Sequence, residues 1–224
     1  MKLVLFDIDG TLVNSQHEIV EAMNLGLRDA GLPEMSPQEI LSIVGLSLPV
    51  AVATLLPHAD PVLHDRVVQG YRDAFVTSRA AGQVPPLYPG ALDCLDALAA
   101  QKDVVLGIAT GKPMRGLLAI LQAHGLSDRF VTRQSADGHP SKPHPAMLQT
   151  ALAETGIPAA RAVMIGDTTF DIDMARAAGM TGFGVDWGYH PTPALHGAGA
   201  ALVAMDYPAL TGALLDWIMT EQMA

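Results

Sequence analysis

Short apolar runs alternate with amphipathic stretches along most of this chain, and three of the runs stop at clustered polar residues. Leu3 to Phe6 stops at Asp7-Ile8-Asp9-Gly10-Thr11. Val104 to Ala109 stops at Thr110-Gly111-Lys112, and Ala162 to Ile165 at Gly166-Asp167-Thr168-Thr169-Phe170-Asp171. Runs of this length, bounded by turn residues, read as strands buried on both faces, as in a parallel sheet. Further strands are expected at Arg129–Thr132, Gly182–Val185 and Ala201–Ala204. Helices are expected around Leu92, Leu95 and Leu98, then over Met114–His124, Pro145–Glu154, Phe170–Ala178 and about 208–219. Strand–helix alternation predicts an α/β fold with a doubly wound parallel sheet.

The stretch after the first strand differs. Ile19, Met23, Leu27 and Ala30 form an amphipathic helical stripe, with Ser15 as its expected cap and Gly31 as its stop. Ser36-Pro37-Gln38-Glu39 has the form of a capping box with proline at the first helical position. Two more helices are expected at Pro49–Leu56 and Val62–Ser78. No strand is expected from Asn14 to Arg79, and Ala81 to Pro86 has the composition of a linker. The expected organisation is an α/β core of residues 1–13 and 84–224, interrupted by an all-helical cap of residues 14–83.

Composition removes several function classes. The formal net charge of −10 opposes non-specific binding to nucleic acid or anionic membranes. It also means that an anionic substrate needs local cations. The single cysteine, Cys94, lies in an apolar helical pattern and reads as a buried core residue, which leaves no internal disulfide and no four-cysteine zinc site. No segment approaches the roughly 18 apolar residues of a membrane span. With no apolar leader segment at the N-terminus, a cytoplasmic protein is expected.

The polar clusters fall where open α/β sheets bind ligands, beyond the C-terminal strand ends. Asp7 and Asp9 are spaced to serve as nucleophile and general acid/base, and their mutual repulsion calls for a nearby cation. Thr110 and the backbone N–H groups of Thr110-Gly111 at a helix start suit a phosphoryl group. Gly107 to Lys112 is one residue short of a P-loop, and Pro113 stands where that loop needs Ser or Thr, so a P-loop is rejected. Lys142, between turn residues ahead of a helix, is placed to neutralise charge over the site. Asp167 and Asp171 offer hard oxygen ligands for Mg²⁺. Singly, either also suits the acidic first turn of a helix. Asp173 falls on the same helix but breaks the spacing, and reads as a solvated residue or as one that supports the site from behind.

Together, Asp7-x-Asp9-Gly10-Thr11, Thr110-Gly111, Lys142-Pro143 and Gly166-Asp167-x-x-x-Asp171 resemble the four motifs of the haloacid dehalogenase-like (HAD) hydrolase superfamily, in order and spacing. The helical insert after the first motif is similar to the subgroup of phosphoglycolate phosphatase and β-phosphoglucomutase. The resemblance implies that Asp7 attacks phosphorus and forms an aspartyl-phosphate. Asp9 then protonates the leaving alcohol and later activates water. Mg²⁺ would be held by Asp7, the Asp9 carbonyl, Asp167 and Asp171. Thr110 and Gly111 would bind the phosphoryl group, and Lys142 would neutralise it. The second carboxylate, Asp9, favours phosphate ester chemistry over dehalogenation. The expected activity is a Mg²⁺-dependent phosphatase acting on a small, phosphoglycolate-like metabolite, as a monomer or homodimer. The alternatives are a sugar phosphomutase of the β-phosphoglucomutase type, or another phosphatase of the superfamily acting on nucleotides, sugar phosphates or pyrophosphate.

Secondary features carry two readings each. Val44-Gly45-Leu46 is a substrate-facing loop or a simple helix break. Arg66, Arg72 and Arg79 are anion binders or solvated helix residues. His139 and His144 flank Lys142 as substrate contacts or as loop and cap residues. Trp187-Gly188-Tyr189-His190 borders the site or covers the core edge.

Overall fold

The computed structural model describes residues 1–80 and 82–220. Its elements run β1 (Lys2–Phe6), α1 (Gln16–Asp29), α2 (Pro37–Leu41), α3 (Leu48–Leu55), α4 (Pro61–Ala80), α5 (Ala91–Ala99), β2 (Val104–Thr110) and α6 (Met114–Ala123). They continue with β3 (Thr132–Ser135), α7 (Ala146–Thr155), β4 (Ala162–Gly166), α8 (Thr169–Ala177), β5 (Thr181–Val185), α9 (Thr192–Ala198), β6 (Leu202–Ala204) and α10 (Tyr207–Thr220). Every strand pairing is parallel, in the order β3-β2-β1-β4-β5-β6.

Side chains alternate across the sheet with a period of two. Val4 and Phe6 of β1 join Leu106 and Ile108 of β2 and Val163 and Ile165 of β4 on one face, under α5, α6 and α10. Leu3 and Leu5 join Ala109, Ala162 and Met164 on the other, under α7 and α8. Burial on both faces is why β1 is a continuous apolar run. Cys94 is a free, buried thiol in the first of these clusters, as expected.

Helices α1 to α4 have a core of their own. Ile19, Met23, Leu27, Ile40, Val52, Val67 and Val68 pack together apart from the sheet. Helices α1 and α4 cross at glycines: a Cβ on Gly26 would lie 2.7 Å from the Val67 carbonyl oxygen. The capping box of α2 is present, with the Glu39 N–H donating to Ser36 Oγ and the Ser36 N–H to Glu39 Oε2. No described helix is long and apolar enough to cross a membrane. The linker stretch includes Ala81, which lies outside the described residues, as do residues 221–224 at the end of the chain.

Three sequence expectations need correction. The third strand is Thr132–Ser135, not Arg129–Thr132. Its side chains are polar, so hydropathy does not mark it. They are satisfied internally, because Thr132 Oγ1 and Gln134 Nε2 both donate to Glu154 of α7, at 2.5 and 2.8 Å. Helix α9 was not expected, since its seven residues, Thr-Pro-Ala-Leu-His-Gly-Ala, bury only Leu195 and show no stripe. Ser15 stands at the N-cap position of α1 but makes no side-chain bond to the helix. Its hydroxyl is committed to Asp9.

Candidate active site

The strand order reverses direction about β1, with β2 on one side and β4 on the other, and the expected site residues cluster at that point. Asp7 directly follows β1 and is 1% exposed. Its N–H donates to the Ile165 carbonyl at 2.9 Å, which extends the β1–β4 ladder and fixes where its carboxylate emerges. Asp7 Oδ1 accepts the Ile8 N–H at 2.7 Å, and Oδ2 lies 2.9 Å from Lys142 Nζ. Thr110, at the end of β2, also hydrogen-bonds the Asp7 carboxylate. Lys142 is completely enclosed and bridges to Asp171 Oδ1 at 2.6 Å.

Asp171 owes its place to helix capping. Thr168 caps α8, and its N–H and hydroxyl donate to Asp171 Oδ2 at 3.1 and 2.7 Å. Asp171 is thus both the acidic first-turn residue of α8 and a neighbour of Lys142. Asp167 accepts from the Thr11 hydroxyl at 2.8 Å and from the Tyr189 N–H at 3.0 Å. Two glycines make room for it. A Cβ on Gly10, whose φ is +84°, would fall 2.2 Å from Asp167 Oδ2, and one on Gly188 would fall 2.1 Å from Asp167 Cβ. Carboxylate oxygens of Asp7, Asp167 and Asp171 all lie within 4.8 Å of one another.

Burial and mutual repulsion shift the proton affinities of Asp7 and Asp167. Burial lifts Asp7 to about 6 from its ordinary 3.8; Lys142 opposes the rise and Asp171 adds to it. Burial also holds Asp167 well above the usual carboxylate range, reinforced by Asp171 and Asp7. Burial alone would lower Lys142, but Asp171 and Asp7 outweigh it and keep the ammonium charged. This is an electrostatic centre with an excess of negative charge and an all-oxygen donor set, which fits a hard divalent cation such as Mg²⁺.

Asp9 sits to one side of that cluster. Its Oδ1 accepts from Ser15 at 2.6 Å, and its Oδ2 pairs with Lys112 Nζ at 2.9 Å. Sequence reading treated Lys112 only as part of a false P-loop and missed this contact. The ion pair is largely enclosed, with side chains 7% and 11% exposed. Tyr189 OH is 3.2 Å from the Ser15 hydroxyl, so the 187–190 stretch does border the site. His190 carries this further: Nδ1 accepts the Thr169 N–H at 3.1 Å, which leaves Nε2 to donate to the Ser42 carbonyl in the helical insert, at 3.0 Å.

A cavity of about 250 Å³ opens above Asp7, Asp9, Thr110 and Gly111, with the helical insert as its roof. The Val44-Gly45-Leu46 loop lies in that roof. Gly111 touches it: a Cβ there would meet the Gly45 and Leu46 carbonyl oxygens at 2.4 and 2.7 Å. Arg72 lines the cavity and is exposed, while Arg66 is exposed on α4 and does not line it. The Arg79 side chain lies outside the described residues. His139 bonds Gln134 and His144 Nδ1 accepts the Ala146 N–H, so both are structural here.

The sequence profile of the haloacid dehalogenase-like hydrolases matches residues 4–185. The chain belongs to this family. A Dickeya dadantii protein named "Probable phosphatase IndB" is 38% identical over 216 residues, covering 94% of this chain and 92% of its own. A phosphoglycolate phosphatase of Rhodospirillum rubrum is 32% identical over 225 residues, covering 97% of this chain and 90% of its own. The crystal structure of a hydrolase from Pseudomonas syringae superposes with a TM-score of 0.85 at 24% identity, over 96% of this chain and 99% of that one. In this HAD chain the four motif segments converge on a single carboxylate–lysine centre.

Proposed function

We propose that this HAD chain is a Mg²⁺-dependent phosphatase of small phosphomonoesters, with residues 1–13 and 84–224 as catalytic core and 14–83 as cap. The observation that carries the reading is the buried Asp7 carboxylate, held by Lys142 at 2.9 Å on the floor of a closed-over cavity, with Asp9 beside it. The relatives named as phosphatases support it, and a cavity of about 250 Å³ suits a metabolite of phosphoglycolate size.

In this mechanism an Asp7 carboxylate oxygen attacks phosphorus, and the bond from phosphorus to the alcohol oxygen breaks. Asp9 gives its proton to the departing alkoxide, so the alcohol leaves neutral. The aspartyl-phosphate is then attacked at phosphorus by water, with Asp9 taking the water's proton. Lys142 and the Thr110 hydroxyl face charge that develops on the phosphoryl oxygens, and the Gly111 N–H adds a donor. Asp7, the Asp9 backbone carbonyl, Asp167 and Asp171 would hold Mg²⁺, which when bound supplies charge neutralisation for the same oxygens. The cap excludes bulk water from the first step.

The test is phosphate release from a panel of small phosphoesters, with Mg²⁺ and with EDTA, by wild type and Asp7→Asn. Metal-dependent release that the substitution abolishes supports the reading. Release unaffected by Asp7→Asn would sink it, and an isomerised sugar phosphate in place of free phosphate would assign a mutase.

A further inference from the structure

The roof over Asp7 is apolar. Helix α1 contributes Ile19 and Met23, the loop between α2 and α3 Ile43 and Leu46, and α4 Tyr71 and Phe75. The two rings lie 4.9 Å apart. Cations are few above the phosphoryl floor. Lys142 is occupied by Asp7 and Asp171. Lys112 is held by Asp9 at 2.9 Å, with its ammonium 5.4 Å from the Phe75 ring. Arg72 and Arg115, the remaining basic lining residues among those described, are exposed.

A leaving group directed into this roof therefore meets hydrocarbon. A second anionic group packed among these apolar side chains would lose its hydration, with only the exposed Arg72 and Arg115 to offset the loss, and a buried, poorly paired charge is costly. An uncharged alkyl or ring group would gain from removing apolar surface from water. The cavity of about 250 Å³ has room for a small branched chain or one ring. We propose that the preferred substrate is the phosphomonoester of a small, uncharged, largely apolar alcohol, with Phe75 as a specificity residue. A compact dicarboxylate-like ester such as phosphoglycolate is a poor fit. The proposal rests on the phosphatase reading above and names its substrate class.

Isobutyl phosphate and phosphoglycolate make a direct comparison, because they have the same number of non-hydrogen atoms and differ by an isopropyl group against a carboxylate. Both are assayed with Mg²⁺, and 4-nitrophenyl phosphate reports general phosphatase competence. Wild type is expected to show kcat/KM at least about tenfold higher for isobutyl phosphate, the scale on which apolar pockets discriminate. Phe75→Ala is expected to lower kcat/KM for isobutyl phosphate more than for phosphoglycolate, so that the ratio of the two falls several-fold, while Phe75→Leu keeps most of the preference. Equal rates, or a preference for phosphoglycolate, would overturn the proposal, as would hydrolysis of 4-nitrophenyl phosphate alone. These outcomes need only the wild type, so a poorly folding variant does not blunt them. Failure on all three compounds would overturn the phosphatase reading together with the proposal.

Discussion

Replacing Asp7 by Asn should make the metal-free protein more stable, although it removes the nucleophile. Burial raises the Asp7 carboxyl from 3.8 to about 6, so the folded chain binds this proton more tightly than the unfolded chain does. The associated stability is fully present below about pH 4 and is lost as pH rises through about 6. At about 1.4 kcal/mol for each tenfold difference in proton affinity, the ionised form costs on the order of 3 kcal/mol at pH 8. Asparagine has nearly the same shape and carries no charge, so it escapes that cost, and Asp171 keeps Lys142 paired; part of the gain is offset because one end of its amide sets an N–H against Lys142 Nζ or the Ile8 N–H. For a chain of this length each kcal/mol moves Tm by roughly 2–4 °C, so Asp7→Asn should melt above wild type at pH 8, by at most roughly 6–12 °C. Calorimetry or dye-monitored melting in EDTA between pH 4 and pH 8 measures this. The gap should close towards pH 4. An Asp7→Asn protein no more stable than wild type at pH 8 would refute the claim that desolvation dominates this carboxylate.

Other perturbations separate the remaining groups. Lys142→Met strands Asp7 and Asp171 without their shared cation; it should lower stability in EDTA by roughly 3–5 kcal/mol, and kcat should fall at least about a hundredfold with Mg²⁺ present. Asp9→Asn leaves the largely enclosed Lys112 ammonium without its carboxylate, so it should lower the melting temperature by roughly a few degrees, and it should reduce kcat by roughly 10²–10⁴-fold for alkyl esters. The first step should suffer less with 4-nitrophenyl phosphate, whose leaving group needs no proton, and pre-steady-state release of nitrophenol reads that difference. Gly111→Ala places a methyl against the Gly45 and Leu46 carbonyls, so it should push the roof loop outward and cut kcat/KM at least about tenfold while the core melts as before.

The site was legible because its residues sit at strand ends, and strand ends are set by local apolar runs. Asp7, Thr110 and Asp167 follow from where β1, β2 and β4 stop. Lys142 and Asp171 follow from spacing to neighbouring elements. Residues whose roles depend on three-dimensional contact were not legible. Ser15 looked like a helix cap, the commonest use of serine before an amphipathic run, yet it serves Asp9 across a turn. Lys112 gained meaning only when Asp9 was found beside it. Tyr189 and His190 come from a segment distant in sequence, and only the aromatic cluster after a strand pointed to them. Strand β3 was misplaced because Thr-Arg-Gln-Ser carries no hydropathy signal, its burial being tolerated through Glu154. The cap's lining was invisible for a related reason: the periodicity that identifies α1 and α4 does not say which apolar residues face the helical core and which face the cavity.

The central claim is that Asp7 becomes covalently phosphorylated. Acid quenching during turnover with Mg²⁺, followed by peptide mass spectrometry, tests it most directly, with Asp9→Asn used to slow hydrolysis of the adduct. The account predicts one added phosphoryl group on the N-terminal peptide, located at Asp7 and missing from Asp7→Asn. Turnover without that adduct, in a protein whose Asp7→Asn variant still releases phosphate, would contradict it and point to direct attack by water.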